Sequence, residues 1–453
     1  MINLRTDEQR FPTLSEAGQR LLRWLREHPH APRYTAASGN RLTADYLRRV
    51  RDYEAELESS PKGWAPGKQP EWPNDFVAMC YRAVPFYRRY GDQPRLLVDI
   101  PTLARADLSR EPWAFVPDSL PLDDLIIHAT SGTTGHPLVI PSHPIVGACY
   151  TPLYKAALHL HGLELKAGRG QICCALVGWQ RKSFTYPSVT PHQDEAGHLK
   201  LNLHPDDWRD PADRAKFLDD CNPELYTGDP IAFAELMKLP LKTRPRALIS
   251  TAVMLADGLR DELESHFGCP VLDMYSMNES GPIAVALPRS ASHTSQTYHL
   301  LQHRLYVEII DPDGEPCLPG VRGEITLTGG LNFYLPLLRY RTNDNAALEW
   351  RDGQPVLVGF EGRPPVTFRA TNGQMISTLD VTAALKPFAI PQFTLHQTAN
   401  GALQLKVRRT AVETDTVRTA LLAVFGSDQV VTVESVESLA GENDKVIQYT
   451  REI

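Results

Sequence analysis

Long apolar runs are missing from this sequence, and no segment approaches the roughly 18 apolar residues that a membrane span requires. The first ten residues, MINLRTDEQR, are charged and have no apolar segment behind them, so we expect no signal peptide. An excess of basic residues is also missing, because the formal net charge is −7. Nucleic acids and anionic membranes favour basic surfaces, so we expect neither as the main partner.

Cysteine patterns typical of disulfide frameworks or zinc sites are missing as well. The seven cysteines include the adjacent pair Cys173 and Cys174 but no C-x-x-C motif. An odd number of cysteines without a framework is typical of free thiols in a reducing compartment. Hydrophobic and charged residues make up 42% and 22% of the chain, which is ordinary for a globular protein. We therefore expect a soluble, cytoplasmic protein.

Two amphipathic helices are predicted near the start of the chain. The segment LSEAGQRLLRWLREH begins with Ser15 as a helix cap, and TADYLRRVRDYEAELES begins with Thr43 in the same role. The predicted apolar face of the first helix contains Leu21, Leu22, Trp24 and Leu25.

The rest of the chain divides into two parts by pattern. From about residue 76 to 290, apolar runs such as LIIHA and QICCALVG alternate with helix-like segments, which indicates an α/β layer architecture. The tail combines an alternating hairpin pattern around Asn400-Gly401 with a helix, TDTVRTALLAVFG, and a strand, QVVTVESV. We therefore predict an α/β fold with a large multi-layer N-terminal domain of β-sheets and helices, residues 1–360, and a small α+β C-terminal domain, residues 361–453. The boundary is placed near Gly359–Pro365.

A run rich in glycine and hydroxyl groups follows the predicted strand LIIHA. Its members are Thr130, Ser131, Gly132, Thr133, Thr134 and Gly135. The two glycines let the backbone turn its N–H groups towards an anion. A Walker motif needs Lys-Ser/Thr after the second glycine, whereas His136-Pro137 follows here, so a P-loop NTPase is excluded. Taken alone, the run is also compatible with a flexible surface turn.

Several segments together resemble one family. The run IHATSGTTG, residues 127–135, resembles the phosphate loop of adenylate-forming enzymes, most of all in the phenylacetate–CoA ligase branch. Other segments resemble this branch in the same order along the chain: VPFYR at 84–88, DIPTLARADL at 99–108, MYSMNESGP at 274–282, LPLLRYRTNDN at 335–345, GFEGRPP at 359–365 and NDKVIQY at 443–449. The resemblance covers roughly residues 80–453.

This resemblance implies a reaction. A small carboxylic acid, aromatic by analogy with the branch, would attack the α-phosphate of ATP to give an acyl-adenylate and pyrophosphate. The acyl group would then pass to coenzyme A, and the C-terminal domain would act as a mobile lid. Two alternatives stay open, namely transfer to an amine or a carrier protein, and a degenerate nucleotide-binding protein without turnover.

The resemblance also implies roles for particular residues. The loop 130–135 would hold the phosphates of ATP, and Glu279 would bind Mg²⁺, a cation that prefers oxygen ligands. Asp344 would accept hydrogen bonds from both ribose hydroxyls. Arg363 would pair with phosphate and ribose oxygens, and Lys445 would bridge the substrate carboxylate and the α-phosphate. Glu279, Arg363 and Lys445 are thus the expected catalytic residues.

Two further groups follow from the positions of the family's pockets. The expected adenine pocket consists of Asp273, Tyr275, Ser276 and Met277. The expected contacts to the acyl group are Trp179, Lys182, Phe184 and Tyr186, in a segment that is nearly as compatible with an exposed loop.

The sequence departs from the family pattern at several positions. His136 replaces the lysine after the loop, and Thr251-Ala252-Val253 stands where Gly-Gly-Glu or Gly-Ala-Glu is expected. Asn343 and Ser276 each replace a glycine. Pro364-Pro365 occupies the hinge, and proline fixes φ near −65°. We therefore expect a stiff hinge, with fast adenylate formation and comparatively slow thioester formation.

Overall fold

The computed structural model describes residues 5–129, 138–181, 183–288, 296–362, 366–439 and 446–452. The helices, apart from three short 3-10 turns, are α1 Asp7–Arg10, α2 Glu16–Glu27, α3 Ala44–Ser59, α4 Trp72–Ala83, α5 Pro85–Arg88, α6 Arg105–Arg110, α7 Pro144–Ala148, α8 Tyr150–Leu160, α9 Asp213–Cys221, α10 Pro230–Met237, α11 Asp257–Phe267, α12 Thr378–Leu385 and α13 Thr414–Phe425. The strands are β1 Ile126–Ala129, β2 Val139–Ser142, β3 Ile172–Gly178, β4 Tyr186–Thr190, β5 Ala196–Asn202, β6 Leu225–Gly228, β7 Ala247–Ser250, β8 Val271–Met277, β9 Gly281–Ala286, β10 Thr297–Leu300, β11 Leu305–Ile310, β12 Arg322–Gly329, β13 Leu337–Arg351, β14 Gln354–Gly362, β15 Thr367–Arg369, β16 Met375–Ser377, β17 Phe393–Gln397, β18 Leu403–Arg408, β19 Val431–Val436 and β20 Tyr449–Arg451.

A mixed sheet of twelve strands dominates the fold, in the order β11-β12-β13-β14-β10-β9-β8-β7-β6-β3-β5-β4. Strands β5, β3, β6, β7 and β8 pair in parallel, and the remaining pairings are antiparallel. Helices cover both faces of the parallel half, because its apolar strands are buried on each side. This mixed architecture confirms the predicted α/β fold class.

Two hydrophobic cores lie on opposite faces of the parallel half. One core joins α2, α9, α10 and α11 to alternate residues of β3 and β5, including Val177 and Leu199. The other joins α3, α7 and α8 to residues that include Cys174 and Ala196. We call the second side the α8 face. The alternation of strand side chains sets which residues of β5 point to each side.

The C-terminal elements form a smaller α+β unit with a core of their own. Its four-stranded sheet has the order β19-β18-β17-β20. The predicted hairpin is confirmed: β17 and β18 are antiparallel, and Gly401 in the turn has φ +84°, a conformation that glycine adopts without strain. The predicted helix and the final predicted strand correspond to α13 and β19. The hinge residues Pro364 and Pro365 lie outside the described residues.

Both predicted N-terminal helices are confirmed with their caps. The side chains of Ser15 and Thr43 accept hydrogen bonds from backbone N–H groups of α2 and α3, respectively. The prediction for Trp24 was wrong, because this side chain is 43% exposed whereas Leu22 and Leu25 are buried. At about 100° of rotation per residue, Trp24 falls at the edge of the apolar stripe, where its ring packs edge-on against His28.

All seven cysteines are free, and six of them are buried. Among the residues that the structure describes, no helix is both long and apolar enough to cross a membrane.

Candidate active site

Glu279 lies in the turn between β8 and β9, at the carboxyl end of the parallel half of the sheet. Its side chain is only 3% exposed, so its charge needs partners inside the protein. The Arg105 guanidinium contacts Glu279 Oε1 at 2.7 Å, and the Tyr340 hydroxyl donates to the same oxygen at 3.0 Å. Gly281, with φ +76°, allows the turn to close next to this carboxylate. The turn after β8 thus carries a buried carboxylate, which the Arg105 guanidinium and the Tyr340 hydroxyl hold in place.

Strand β13 places Arg105. The Leu103 N–H donates to Arg339 O at 2.9 Å, and the Arg341 N–H donates to Leu103 O at 2.8 Å. These two bonds fix the chain against β13 two residues before α6 begins. The Asp107 carboxylate then accepts the Ala104 N–H at 3.0 Å and caps the helix. The backbone pairing with β13 and the cap at Asp107 therefore explain how the DIPTLARADL segment holds Arg105 beside Glu279.

A second pair connects β8 to β13. The Tyr275 hydroxyl donates to Asp344 Oδ2 at 2.8 Å. Four strand-to-strand steps separate β8 from β13 in the sheet order, so this short contact requires the sheet to curl. Burial and the Asp344 carboxylate raise the pKa of Tyr275 well above its ordinary value, which keeps the phenol protonated as a donor.

The backbone next to Asp344 explains one departure from the family pattern. Asn343 has φ +62°, in the left-handed region that glycine favours and asparagine tolerates best among the other residues. Its N–H donates to Glu324 Oε1 at 2.9 Å, and the Asp344 N–H donates to Thr342 Oγ1 at 3.1 Å. The replacement of glycine by asparagine therefore keeps the conformation that presents Asp344.

Asp273 lies deeper on the same side of β8 as Tyr275. Its Oδ2 accepts hydrogen bonds from the Tyr298 hydroxyl at 2.8 Å and from Gln296 Nε2 at 3.1 Å, and Arg260 Nη2 lies 3.5 Å away. Burial raises the pKa of Asp273, and the Arg260 charge opposes that shift. Protein groups therefore take up much of its bonding capacity, and Asp273 links three elements of the fold.

The other predicted adenine-side residues lie on β8 as well. Met277 Sδ lies 3.6 Å from the Tyr275 hydroxyl, and Ser276 points to the opposite side at an irregularity in the pairing with β9. Ala252, in the segment that departs from the family pattern, has φ +70°. A residue with a Cβ is strained there by about 1–2 kcal/mol.

The structure does not bring the described members of the predicted acyl-contact group to one place. Trp179 packs against the core opposite the α8 face, with the Arg408 guanidinium 6.0 Å from its ring centroid. Phe184 is 71% exposed, and Lys182 lies outside the described residues. Tyr186 is half-buried on β4, directly opposite Lys200.

Three other predicted features also lie outside the described residues. They are the loop Thr130–Gly135 together with His136, the arginine Arg363 of the GFEGRPP segment, and Lys445. Strands β1 and β2, which flank the loop, pair as an antiparallel hairpin, and this agrees with the strand predicted for LIIHA.

Sequence reasoning missed Arg105 and Tyr340. Both stand inside segments that carried the family resemblance, DIPTLARADL and LPLLRYRTNDN. A signal was present, because an arginine and a buried tyrosine in motif segments are candidates to pair with the isolated acid of MYSMNESGP. The pairing spans 174 positions between Arg105 and Glu279, which local patterns do not encode.

Comparisons with known proteins give relatives at low sequence identity and solved structures of similar fold. No family model matches the chain. It is 26% identical over 315 residues to a phenylacetate-coenzyme A ligase of Thermus thermophilus, covering 64% of this chain and 67% of that protein. It is 27% identical over 286 residues to the phenylacetate-coenzyme A ligase of Escherichia coli, covering 58% and 63%. The matches thus span about two thirds of the length of these relatives.

Solved structures show the same fold. A 2-hydroxyisobutyryl-CoA ligase in its postadenylation state, in complex with 2-HIB-AMP, superposes with a TM-score of 0.61 at 17% identity, covering 89% of this chain and 90% of the other. An anthranilate CoA ligase in complex with anthranoyl-AMP gives 0.51 at 14% identity, covering 73% and 67%. The sequence matches support a relation to the phenylacetate–CoA ligase-like branch of the adenylate-forming superfamily, and the solved structures show that this chain shares their fold.

Proposed function

We propose that this protein activates a small carboxylic acid with ATP and transfers the acyl group to coenzyme A. In the first step, a carboxylate oxygen bonds to the α-phosphorus, the bond to the bridging oxygen breaks, and pyrophosphate leaves. In the second step, the coenzyme A sulfur bonds to the acyl carbon and AMP leaves. The curated relatives are named phenylacetate-coenzyme A ligases, which supports an aryl acid as substrate. We also propose a cytoplasmic location, because the seven cysteines are free thiols, as is typical of a reducing compartment.

The observation that carries this proposal is the meeting of two motif segments at one place. Glu279 and Tyr275 come from MYSMNESGP, and Tyr340 and Asp344 come from LPLLRYRTNDN. The two hydrogen bonds between them, at 3.0 and 2.8 Å, bring together the acids that we assign to the metal and to the ribose. The β1–β2 hairpin carries the loop that we assign to the phosphates.

Each acid fits its proposed partner by its chemistry. Glu279 offers a hard oxygen ligand of the kind that Mg²⁺ prefers. Both side-chain contacts that the described residues make with this carboxylate reach Oε1, so Oε2 is the oxygen that we assign to Mg²⁺. Bound Mg²⁺ would supply charge neutralisation for the phosphates. Asp344 is half-buried on β13 and accepts from Tyr275 on Oδ2, so its carboxylate is oriented before ribose arrives.

Arg105 contributes positive charge next to Glu279. Repulsion between the substrate carboxylate and the phosphates of ATP is a large part of the barrier to reaction. Positive charges that the protein already holds in place lower this barrier. Because the Arg105 guanidinium contacts Glu279 Oε1 at 2.7 Å, we assign Arg105 to orienting this carboxylate. Arg363 and Lys445 keep their proposed roles at the phosphates and at the reacting carboxylate.

ATP–pyrophosphate exchange over a panel of aryl and alkyl acids tests the proposal. We expect acid-dependent exchange that falls at least about a hundredfold in Lys445→Ala and in Glu279→Gln, the scale of one lost transition-state contact. Thioester formation from the best acid then tests the acceptor. Absence of exchange with every acid, in a folded protein that binds ATP, would favour a nucleotide-binding protein without turnover.

A further inference from the structure

Arg339 lies at a bulge of β13, directly before Tyr340. The register of β12 and β13 shifts between Leu327 and Gly329, so two residues of β13 stand opposite Thr328. Arg339 has φ +45°, a left-handed conformation that residues with a Cβ rarely adopt. Its N–H donates to Thr328 Oγ1 at 3.0 Å. Because such conformations persist only where the surrounding structure fixes them, the contacts of Arg339 must hold its backbone in place.

The Arg339 guanidinium donates four hydrogen bonds inside the protein. Nη1 donates to Val98 O at 2.6 Å and to Ile100 O at 3.0 Å, and Nη2 donates to Gly314 O at 3.0 Å. Nε donates to Glu308 Oε2 at 3.3 Å. The planar guanidinium is suited to several acceptors at once, because its donors have a fixed geometry. Most of these bonds reach backbone carbonyls, so the side chain holds segments of the chain.

The backbone and the side chain of Arg339 hold the same stretch of chain before α6. Arg339 O accepts the Leu103 N–H at 2.9 Å, and the guanidinium binds two carbonyls just upstream. Arg105 begins α6 two residues after Leu103 and contacts Glu279 Oε1. Tyr340, which donates to the same oxygen, is the next residue along β13. Arg339 is therefore linked to both partners of Glu279, to one through the segment that it holds and to the other as its neighbour in β13.

The ion pair with Glu308 is a separate role of the same side chain. The two side chains are 4% and 5% exposed, and removal of either partner would leave a buried charge, which is costly. Burial raises the pKa of Glu308, and the Arg339 charge opposes that shift. A lysine at position 339 would keep a charge beside Glu308 but would lack the planar fork that holds the carbonyls. Substitution can therefore separate the stabilising ion pair from the contacts to the segment before α6.

From these contacts we propose that Arg339 is a positioning residue of the active site, which holds Arg105 and Tyr340 so that both reach Glu279 Oε1. Arg339 is itself buried and acts through these two side chains. The bulge and the left-handed backbone are the local means by which β13 directs the Arg339 side chain to the segment before α6 and Tyr340 to Glu279. This inference rests on the proposed function, because that function gives Glu279 its task.

Arg339→Lys tests the proposal, with ATP–pyrophosphate exchange as the readout. We expect kcat to fall about tenfold, because the orientation of Glu279 is loosened, and the KM for the acid to change less than about twofold. Glu308→Gln breaks the ion pair but keeps the carbonyl contacts, so it should lower stability in chemical denaturation and reduce kcat less than Arg339→Lys does. If Arg339→Lys does not fold, Arg339→Met/Glu308→Leu replaces the buried pair by apolar groups, a change that is often neutral for stability. This double variant should show the same fall in kcat.

Arg246→Met is the control for a loss of stability remote from the site. Its ion pair with Glu224, which is 10% exposed, lies at the amino ends of β6 and β7, whereas Glu279 lies at the carboxyl end of the parallel strands. This variant should be less stable than the wild type and should keep both kcat and the KM for the acid.

A double variant shows whether Arg339 acts through Glu279. In the Glu279→Gln background, Arg339→Lys should lower exchange by less than about a further twofold, because residues that act as one unit are not additive. A full further tenfold loss in that background would mean that Arg339 acts elsewhere and would overturn the inference. A fall in kcat in Glu308→Gln as large as in Arg339→Lys would also overturn it, since the effect would then follow the ion pair.

Calorimetric titration of ATP with and without Mg²⁺ separates this inference from the proposed function. We expect Mg²⁺ to tighten ATP binding to the wild-type protein, and this gain to be smaller in Glu279→Gln and in Arg339→Lys but not in Arg246→Met. If no acid supports exchange but Arg339→Lys loses part of the gain, the positioning role is correct and the proposed catalysis is wrong. If exchange is observed and Arg339→Lys behaves like Arg246→Met in both assays, the inference fails and the proposed function stands. An unchanged gain in Arg339→Lys overturns the inference in either case.

Discussion

The contact between Arg105 and Glu279 leads to opposite expectations for stability and for activity. Glu279 is 3% exposed and Arg105 is 31% exposed. Arg105→Met leaves a buried carboxylate whose remaining side-chain donor, within the described part of the chain, is the Tyr340 hydroxyl. Breaking a fully buried pair costs 3–5 kcal/mol, and because Arg105 is partly solvated we expect about 2 kcal/mol of lost unfolding free energy. Glu279→Gln should cost about 1 kcal/mol, since Arg105 can turn towards water.

The loss of activity should rank the two variants in the reverse order, with the larger loss in Glu279→Gln. Glu279→Gln removes the charge that we assign to the metal, so exchange should fall at least about a hundredfold. Arg105→Met keeps the carboxylate and only loosens its orientation, so exchange should fall about tenfold. Arg105→Lys keeps the charge but not the planar fork and should lie between Arg105→Met and the wild type.

Chemical denaturation followed by tryptophan fluorescence measures the stabilities, and pyrophosphate exchange measures the activities. In the double variant Arg105→Met/Glu279→Gln, the loss of stability should be smaller than the sum of the two single losses by about 1 kcal/mol, because the two residues are in contact. Arg110→Met is the matched control on the same helix. Its pair with Asp107 is exposed and should contribute less than about 1 kcal/mol. If Arg105→Met costs no more than Arg110→Met, the buried pair does not hold Glu279 and our reasoning is wrong.

Three further changes test other parts of the structure. Tyr275→Phe removes one hydrogen bond to the proposed ribose-binding carboxylate and should weaken ATP binding about fivefold, equivalent to about 1 kcal/mol; unchanged calorimetric affinity would contradict the assigned ribose site. Ala252→Gly relieves a left-handed backbone and should raise stability by about 1 kcal/mol in denaturation; a loss of stability would contradict the strain. Arg408→Met breaks the buried 3.0 Å pair with Glu235, which joins β18 to α10, and should speed amide hydrogen exchange at that contact. Arg409→Met, whose ion pair is exposed, should leave amide hydrogen exchange unchanged. Equal effects of the two variants would contradict the expectation that the Arg408–Glu235 pair holds β18 against α10.

Some elements of the fold are determined by residues that are neighbours in sequence. The hydroxyls of Ser15 and Thr43 cap their own helices, and the turn at Gly401 joins strands only a few residues apart. The apolar run LIIHA likewise contains strand β1. Such features depend on backbone preferences and on contacts within one or two turns, so the sequence was sufficient to predict them. The order of the family's motifs singled out Glu279 and Asp344 as candidate site residues without any structure, and their roles stay predictions.

Other features were decided by tertiary structure alone. Trp24 lies at the edge of the apolar stripe of its helix, and the position of the neighbouring core decided that this edge stays exposed. Asp273 stays a predicted adenine contact by its place in a motif, and only the fold shows that Tyr298 of β10 and Gln296 just before that strand donate to its carboxylate.

The partners of Glu279 show most directly why some contacts depend on the tertiary structure. Arg105 and Tyr340 reach it because a curled sheet brings β13 and the chain bound to it against the end of β8. The curvature of a sheet depends on the packing of all its strands, so residues far apart in the chain meet there without any local pattern that predicts it. The sequence by itself thus determined which chemical groups are present and which segments carry them, and the fold decided which of those groups touch.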